Sequence, residues 1–459
     1  MKRYAENELK EWKIRLDRKP LIIRGARQVG KSYLVREFGE QYFDSMIEVN
    51  FEVDIWAEDL FEKKDPAAIV AFLEAKYNQS VVKGRTLLFL DEIQASPQAL
   101  AALRYFYEKM PELHVIAAGS LLDFVLHDHS FSMPVGRIEY LHLGPMSFEE
   151  FLLATNGNIK LKMLESFSID KEFSKQLHMS LMDDFRQYCV IGGMPGAIAA
   201  YLKNNSYLDV QRSQESILAT YMDDFSKYSS KVDDNFLRKV FTRMPMLVGK
   251  KVKYTHVDPN QRSKKVADAI EHLELAKIIT RIVHTYANGI PLGAEVNQRD
   301  FKMLFLDIGL LCRACRLDMT DILSAEDLML VNSGAICEQF IGQHLLYEVP
   351  PYQQPELYCW IRQKAGTSSE VDFVIQQGIR IIPVEVKAGK TGRLKSIHVF
   401  VSEKHQNFAL RFNADVPSIV ETATVVPQRE PESFTLLSLP LYMVGQAKRL
   451  IKESMNKKM

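Results

Sequence analysis

The chain has 459 residues, 47% hydrophobic and 25% charged. That excludes disordered, collagen-like and coiled-coil classes and leaves material for about three domains. Lys plus Arg (58) equals Asp plus Glu (58), so no global basic field points to nucleic acid, and any such contact must come from a local patch. No apolar run approaches the roughly 18 residues of a membrane span. The opening MKRYAENELKEWK lacks the apolar core of a secretory leader. Five cysteines, odd in number and sparse, suit a reducing compartment, so a cytoplasmic location is expected.

The first stretch, 1–150, reads as alternating strands and helices. LIIR, IEVNF, TLLFLDE and LHVIAAGS are near-continuous apolar runs, the pattern of parallel strands covered on both faces. The first run leads into Gly25-Ala26-Arg27-Gln28-Val29-Gly30-Lys31-Ser32, a GxxxxGK[ST] loop with a strand before it and a helix after it. Its glycines free backbone N–H groups to cradle phosphates at a helix N-terminus, where the helix dipole also favours anions. Lys31 would reach the β and γ phosphates, the Ser32 hydroxyl would ligate Mg²⁺, and Tyr33 completes the loop's contact set.

LLFLDE places Asp91 and Glu92 at the carboxyl end of a buried strand, the edge where α/β sheets bind ligands. Asp91 would hold Mg²⁺ through water, and Glu92 would orient and deprotonate the attacking water. Ser120, closing the next strand, is either a sensor of the γ phosphate or a turn residue. Arg137 is either a source of transition-state charge, in cis or from a neighbouring subunit, or a surface ion pair.

From 151 to 232 the pattern is helical, a linker or lid, broken by VIGGMPGA (190–197), which is expected to act as a hinge toward the C-terminal half. From 233 to 325, helix, turn, helix and two short strands fit a winged helix. Lys250, Lys251, Lys253, Arg262, Lys264 and Lys265 flank its helices and are either phosphate contacts or solvated charge. Cys312 and Cys315 form a lone CxxC within a helix, with no companion pair to complete a zinc site. His127-Asp128-His129 reads as loop surface.

In the 326–430 stretch, EVDFVIQQ and IRIIPVEVKAG are strands joined through Gln377-Gly378. Glu385 and Lys387 share one face, and Asp372 lies on the facing strand. Two close carboxylates form a hard-oxygen site for Mg²⁺, Lys387 would position water or a phosphate, and Glu338 on the preceding helix adds a third acid. The bland alternative is a solvated charged face with cross-strand pairs. The remaining residues, 431–459, end in the basic KRLIKESMNKKM and are expected to form a tail.

GARQVGKS, LFLDEIQ, AAGSLL, GRIEYLHLGPMSFEEF and YCVIGGMPGAI, in that order, resemble the prokaryotic AAA-type ATPases whose C-terminal part is the DUF4143 domain. The resemblance implies a multidomain α/β protein. Its P-loop NTPase sheet would be of the ASCE type, with one strand between the two nucleotide motifs. A catalytic Glu would follow the acidic Asp. ATP and Mg²⁺ are the implied cofactors, and homo-oligomers are common among such proteins. The order Glu338, Asp372, Glu385-x-Lys387 is similar to PD-(D/E)xK nucleases, a restriction-endonuclease-like fold that also persists as a binding scaffold.

Two functions remain open at this point. One is an ATPase coupled to a module that binds or cleaves DNA or RNA. The other is an ATP-gated signalling or scaffold protein that binds a partner without cleavage. A small-molecule kinase is disfavoured because no acceptor-binding lid is apparent. No membrane partner is expected.

Overall fold

A computed structural model describes residues 1–127, 136–225, 232–324, 334–362, 369–390, 392 and 394–456. The chain divides into two compact units. The first comprises Met1–Pro145 with the short segments Leu275–Ile278 and Val349–Gln354, and the second holds the rest. Among the described residues no helix is long and apolar enough to cross a membrane. Asp128 and His129 of the histidine-flanked triplet lie outside the described residues.

In the first unit, β1 (Leu21–Arg24), β2 (Ser45–Asn50), β3 (Thr86–Asp91), β4 (His114–Gly119) and β5 (Glu139–His142) form a sheet of order β2-β3-β4-β1-β5. Every pairing is parallel. β4 lies between β1, which feeds the glycine loop, and β3, which ends at Asp91. This is the strand order expected of an ASCE-type P-loop core. All six residues of β3 and of β4 are buried, as their unbroken apolar runs require. Pro351 O accepts from His142 N at 2.7 Å, capping the open edge of β5.

The second unit begins with helices and continues into an eight-stranded mixed sheet, order β12-β13-β11-β10-β9-β8-β6-β7. Its strands are β6 (Ile279–Thr285), β7 (Val296–Phe305), β8 (Tyr358–Ile361), β9 (Glu370–Gln377), β10 (Arg380–Val386), β11 (Phe408–Asn413), β12 (Ser418–Ala423) and β13 (Ser433–Pro440). β9 and β10 are the expected hairpin, turning at Gly378 and Ile379 between the paired residues Gln377 and Arg380. Gly378 has φ +60°, a conformation glycine adopts without strain.

Three expectations about organisation change here. The β6–β7 hairpin of the winged-helix stretch is not a separate domain, because β6 also pairs in parallel with β8. A boundary at 325 would cut one continuous sheet. The stretch from 431 to 456 is no tail: β13 sits between β11 and β12, and the helix Ala447–Asn456 buries Leu450 and Ile451. Lastly, the VIGGM part of VIGGMPGA, residues 190–194, is buried inside the second unit. Asp307 Oδ2 accepts from Gly193 N at 2.6 Å, and Met146 N donates to Gly193 O at 2.7 Å. A Cβ at Gly192 would lie 2.2 Å from Asp307 Oδ1. The two glycines serve a close approach rather than a free hinge.

Candidate active site and the carboxylate–lysine cluster

The glycine loop follows Arg24, the last residue of β1, and opens the helix Lys31–Tyr42. Gly25 approaches the backbone so closely that a Cβ there would sit 2.2 Å from Leu143 O, and Gly30 has φ +92°. Arg3 clamps the loop from outside, donating to Val29 O and to Gly144 O at 2.8 Å each. Lys31 is 7% exposed, and its Nζ donates to Gly25 O at 3.1 Å and Ala26 O at 2.8 Å. Burial pushes its pKa down to about 8, against the pull of Glu92 and Asp91.

Ser32 Oγ donates to Asp91 Oδ1 at 2.9 Å. Asp91 is 3% exposed, and burial raises its pKa while the Ser32 hydroxyl lowers it. A buried carboxylate beside a hydroxyl at a phosphate loop is the donor set Mg²⁺ needs when it arrives with ATP, so these two residues fit the ion. Glu92 stands next on the same edge, with φ +50°, and accepts from Gln94 Nε2 at 2.6 Å. Ser120 lies at the end of β4, where its Oγ accepts from Arg27 Nε at 3.3 Å, and Arg27 also pairs with Glu52 at 3.3 Å.

The second cluster lies on the eight-stranded sheet. Past the last paired residues of the hairpin, Val384 and Phe373, the chain places Glu385 and Asp372. Asp372 Oδ2 accepts from Val386 N at 2.8 Å, and Glu385 Oε1 accepts from Lys387 Nζ at 2.6 Å. Between the acids lies Lys302 of β7, 3% exposed. Its Nζ is 2.7 Å from Glu338 Oε2, 2.8 Å from Glu370 Oε1 and 3.2 Å from Asp372 Oδ1. Burial opposes its charge, but Glu338, Asp372 and Glu370 hold its pKa well above the usual lysine value. Burial pushes Glu338 up to about 7 and Glu385 up to about 8, with Lys302 and Lys387 pulling against it.

Residues 17–152 match an AAA domain family. The first unit is an AAA domain. Residues 182–321 match a domain of unknown function, DUF8612, and residues 333–442 match another, DUF4143. No curated protein matches the chain. Among solved structures, the Aeropyrum pernix ORC2 protein, determined as ADPNP–ADP complexes, is similar at 12% identity. That match covers 71% of this chain and 95% of that one, with a TM-score of 0.37. C. elegans PCH-2 is similar at 12% identity over 47% and 66% of the two chains, TM-score 0.28. The RuvB Holliday junction branch migration motor of Thermotoga maritima is similar at 15% identity over 64% and 92%, TM-score 0.26.

Within the AAA domain, Lys31, Ser32, Asp91, Glu92 and Ser120 all fall at the carboxyl edge of the sheet. Arg137 does not. It precedes β5, whose first residue, Glu139, pairs with Leu21 at the start of β1, so Arg137 lies at the opposite, amino edge. There its Nε donates to Glu108 Oε1 at 3.2 Å, away from the edge that carries the phosphate loop.

In the DUF4143 stretch, Asp372 and Glu385, expected to share an ion, each face a lysine. Among the described residues no three Asp, Glu, His or Cys side chains are grouped to hold a metal ion. Asp372 faces Lys302, together with Glu338 and Glu370, while Glu385 pairs with Lys387. Sequence reasoning missed Lys302 and Glu370, and both left a trace. Lys302 interrupts the apolar run FKMLF, where a buried charge demands acidic partners, and Glu370 is two residues from Asp372 on the same strand face. Of the flanking basic residues, Lys250, Lys253, Arg262, Lys264 and Lys265 are exposed, whereas Lys251 pairs with Asp300. Cys312 is buried and Cys315 partly so.

Proposed function

We propose that the chain binds ATP with Mg²⁺ and hydrolyses it, and that its nucleotide state governs the binding of a partner by the DUF4143-containing unit. The observation that carries this reading is the contact of Ser32 with Asp91 beside the buried Lys31. The loop's backbone N–H groups and Lys31 hold the phosphates, and Ser32 and Asp91 hold the Mg²⁺ that travels with them. Glu92, steadied by Gln94, orients a water and takes its proton as the water oxygen joins the γ phosphorus. The bond to ADP breaks, and ADP and phosphate leave.

The carboxylate–lysine cluster supports a nuclease-like origin for the second unit, and the three carboxylates committed to Lys302 favour binding over cleavage. DNA or RNA would meet the exposed Lys253, Arg262, Lys264 and Lys265. Equilibrium binding of ATP tests the first step. Lys31→Ala should abolish binding, and undiminished affinity in that variant would remove the assignment.

A further inference from the structure

Lys302 has three N–H donors and meets three carboxylate acceptors, those of Glu338, Glu370 and Asp372. Such matching is what a buried ammonium requires, since it has given up its water and tolerates no unused donor. It also leaves Lys302 no role as a base or nucleophile, because every donor is committed. The ExK lysine that would handle water is Lys387, which is paired with Glu385. A second observation concerns Glu385 itself. It is 5% exposed, and its Oε2 has no hydrogen-bond partner. The cluster therefore holds four carboxylates against two ammoniums, with one buried oxygen left over.

We propose that Lys302 is a built-in cation occupying the place of a divalent ion among Glu338, Glu370 and Asp372, so that the centre works without metal. A second part of the proposal is that a neutral side chain at 302 turns the cluster into a Mn²⁺ or Mg²⁺ site. The inference rests on the nuclease-like reading of the second unit. The physical case is one of charge and size. An ammonium and a divalent ion both draw carboxylates inward, the ion at about 2.0–2.6 Å from oxygen, while the N–O separations here are 2.7–3.2 Å. Without Lys302 the three acids lose their shared counter-charge, and Glu385 Oε2 supplies a further oxygen donor. That is a hard-oxygen set which repels itself unless a cation enters.

The test uses the full chain without nucleotide, with Asp91→Asn in every version to silence the AAA domain. Mn²⁺ binding is read by electron paramagnetic resonance, and melting temperature with and without Mn²⁺ is read alongside. The version with Lys302 intact should bind no Mn²⁺ and melt at the same temperature with or without it. Lys302→Met should bind one Mn²⁺ and melt higher in its presence, and adding Asp372→Asn should cancel both effects. Should Lys302→Met not fold, Lys302→Gln with Glu370→Gln removes one charge of each sign and carries the same comparison. If the intact version binds one Mn²⁺ that Asp372→Asn abolishes, a metal centre persists beside Lys302; the inference falls and the nuclease-like reading survives. If folded variants without Lys302 bind none, the acids form no ion cradle, and both fall.

Discussion

Ser32 and Asp91 are 59 positions apart in sequence and 2.9 Å apart in space, hydroxyl to carboxylate. The contact joins the end of the phosphate loop to the end of β3 across β4, the strand between β1 and β3. Asp91→Asn keeps the shape and removes the charge. Hydrolysis should fall by about 100-fold, the scale of losing one electrostatic stabiliser of the transition state. Phosphate release at saturating ATP checks this, and a loss under threefold would place the metal elsewhere.

Lys31 gives the site a pH dependence whose sign follows from its environment. Burial holds its pKa down at about 8, so above that value the nucleotide-free protein increasingly carries a neutral amine. Only the ammonium pairs with phosphate. ATP affinity should therefore weaken as pH rises through about 8, and binding above that pH should take up a proton as the phosphates restore the charge. Calorimetry in buffers of different ionisation enthalpy reads that proton directly. Flat affinity and no proton uptake would contradict the assignment.

Arg137 sits at the amino edge of the sheet, paired with Glu108. Arg137→Ala should leave ATP affinity within about twofold, since an exposed ion pair contributes little. A tenfold loss of affinity in a nucleotide-binding titration would show that Arg137 reaches the phosphates after all.

Asp307 is fully buried and accepts from Gly193 N at 2.6 Å and Leu310 N at 3.1 Å. Asp307→Ala leaves both donors unpaired and should cost about 2–4 kcal/mol of stability. Urea unfolding measures this. A cost below about 0.5 kcal/mol would return VIGGMPGA to the role of a mobile hinge.

The parts of the molecule that were legible in the sequence share a physical reason. The phosphate loop is specified locally: Gly25 and Gly30 are demanded by backbone geometry, and Asp91 ends an apolar run that admits one kind of strand. The hairpin β9–β10 was equally local, with alternation on both sides of Gly378. What stayed hidden depends on long-range pairing. Lys302 meets Glu370 across 68 positions, and the parallel pairing of β6 with β8 merges two stretches that read as separate. β13 was overlooked because the basic end of the chain masked the apolar FTLLSLP before it. Which edge of the sheet Arg137 faces depends on the register of β5, which no local pattern shows.

The proposed role of Glu92 is to drive ATP hydrolysis at the loop built on Lys31 and Ser32. Phosphate release and ATP binding measured together on wild type and Glu92→Gln test it most directly. Glu92→Gln should bind ATP as tightly as wild type and release phosphate about 100-fold more slowly, the usual weight of a positioned general base. Hydrolysis by Glu92→Gln at the wild-type rate would contradict it.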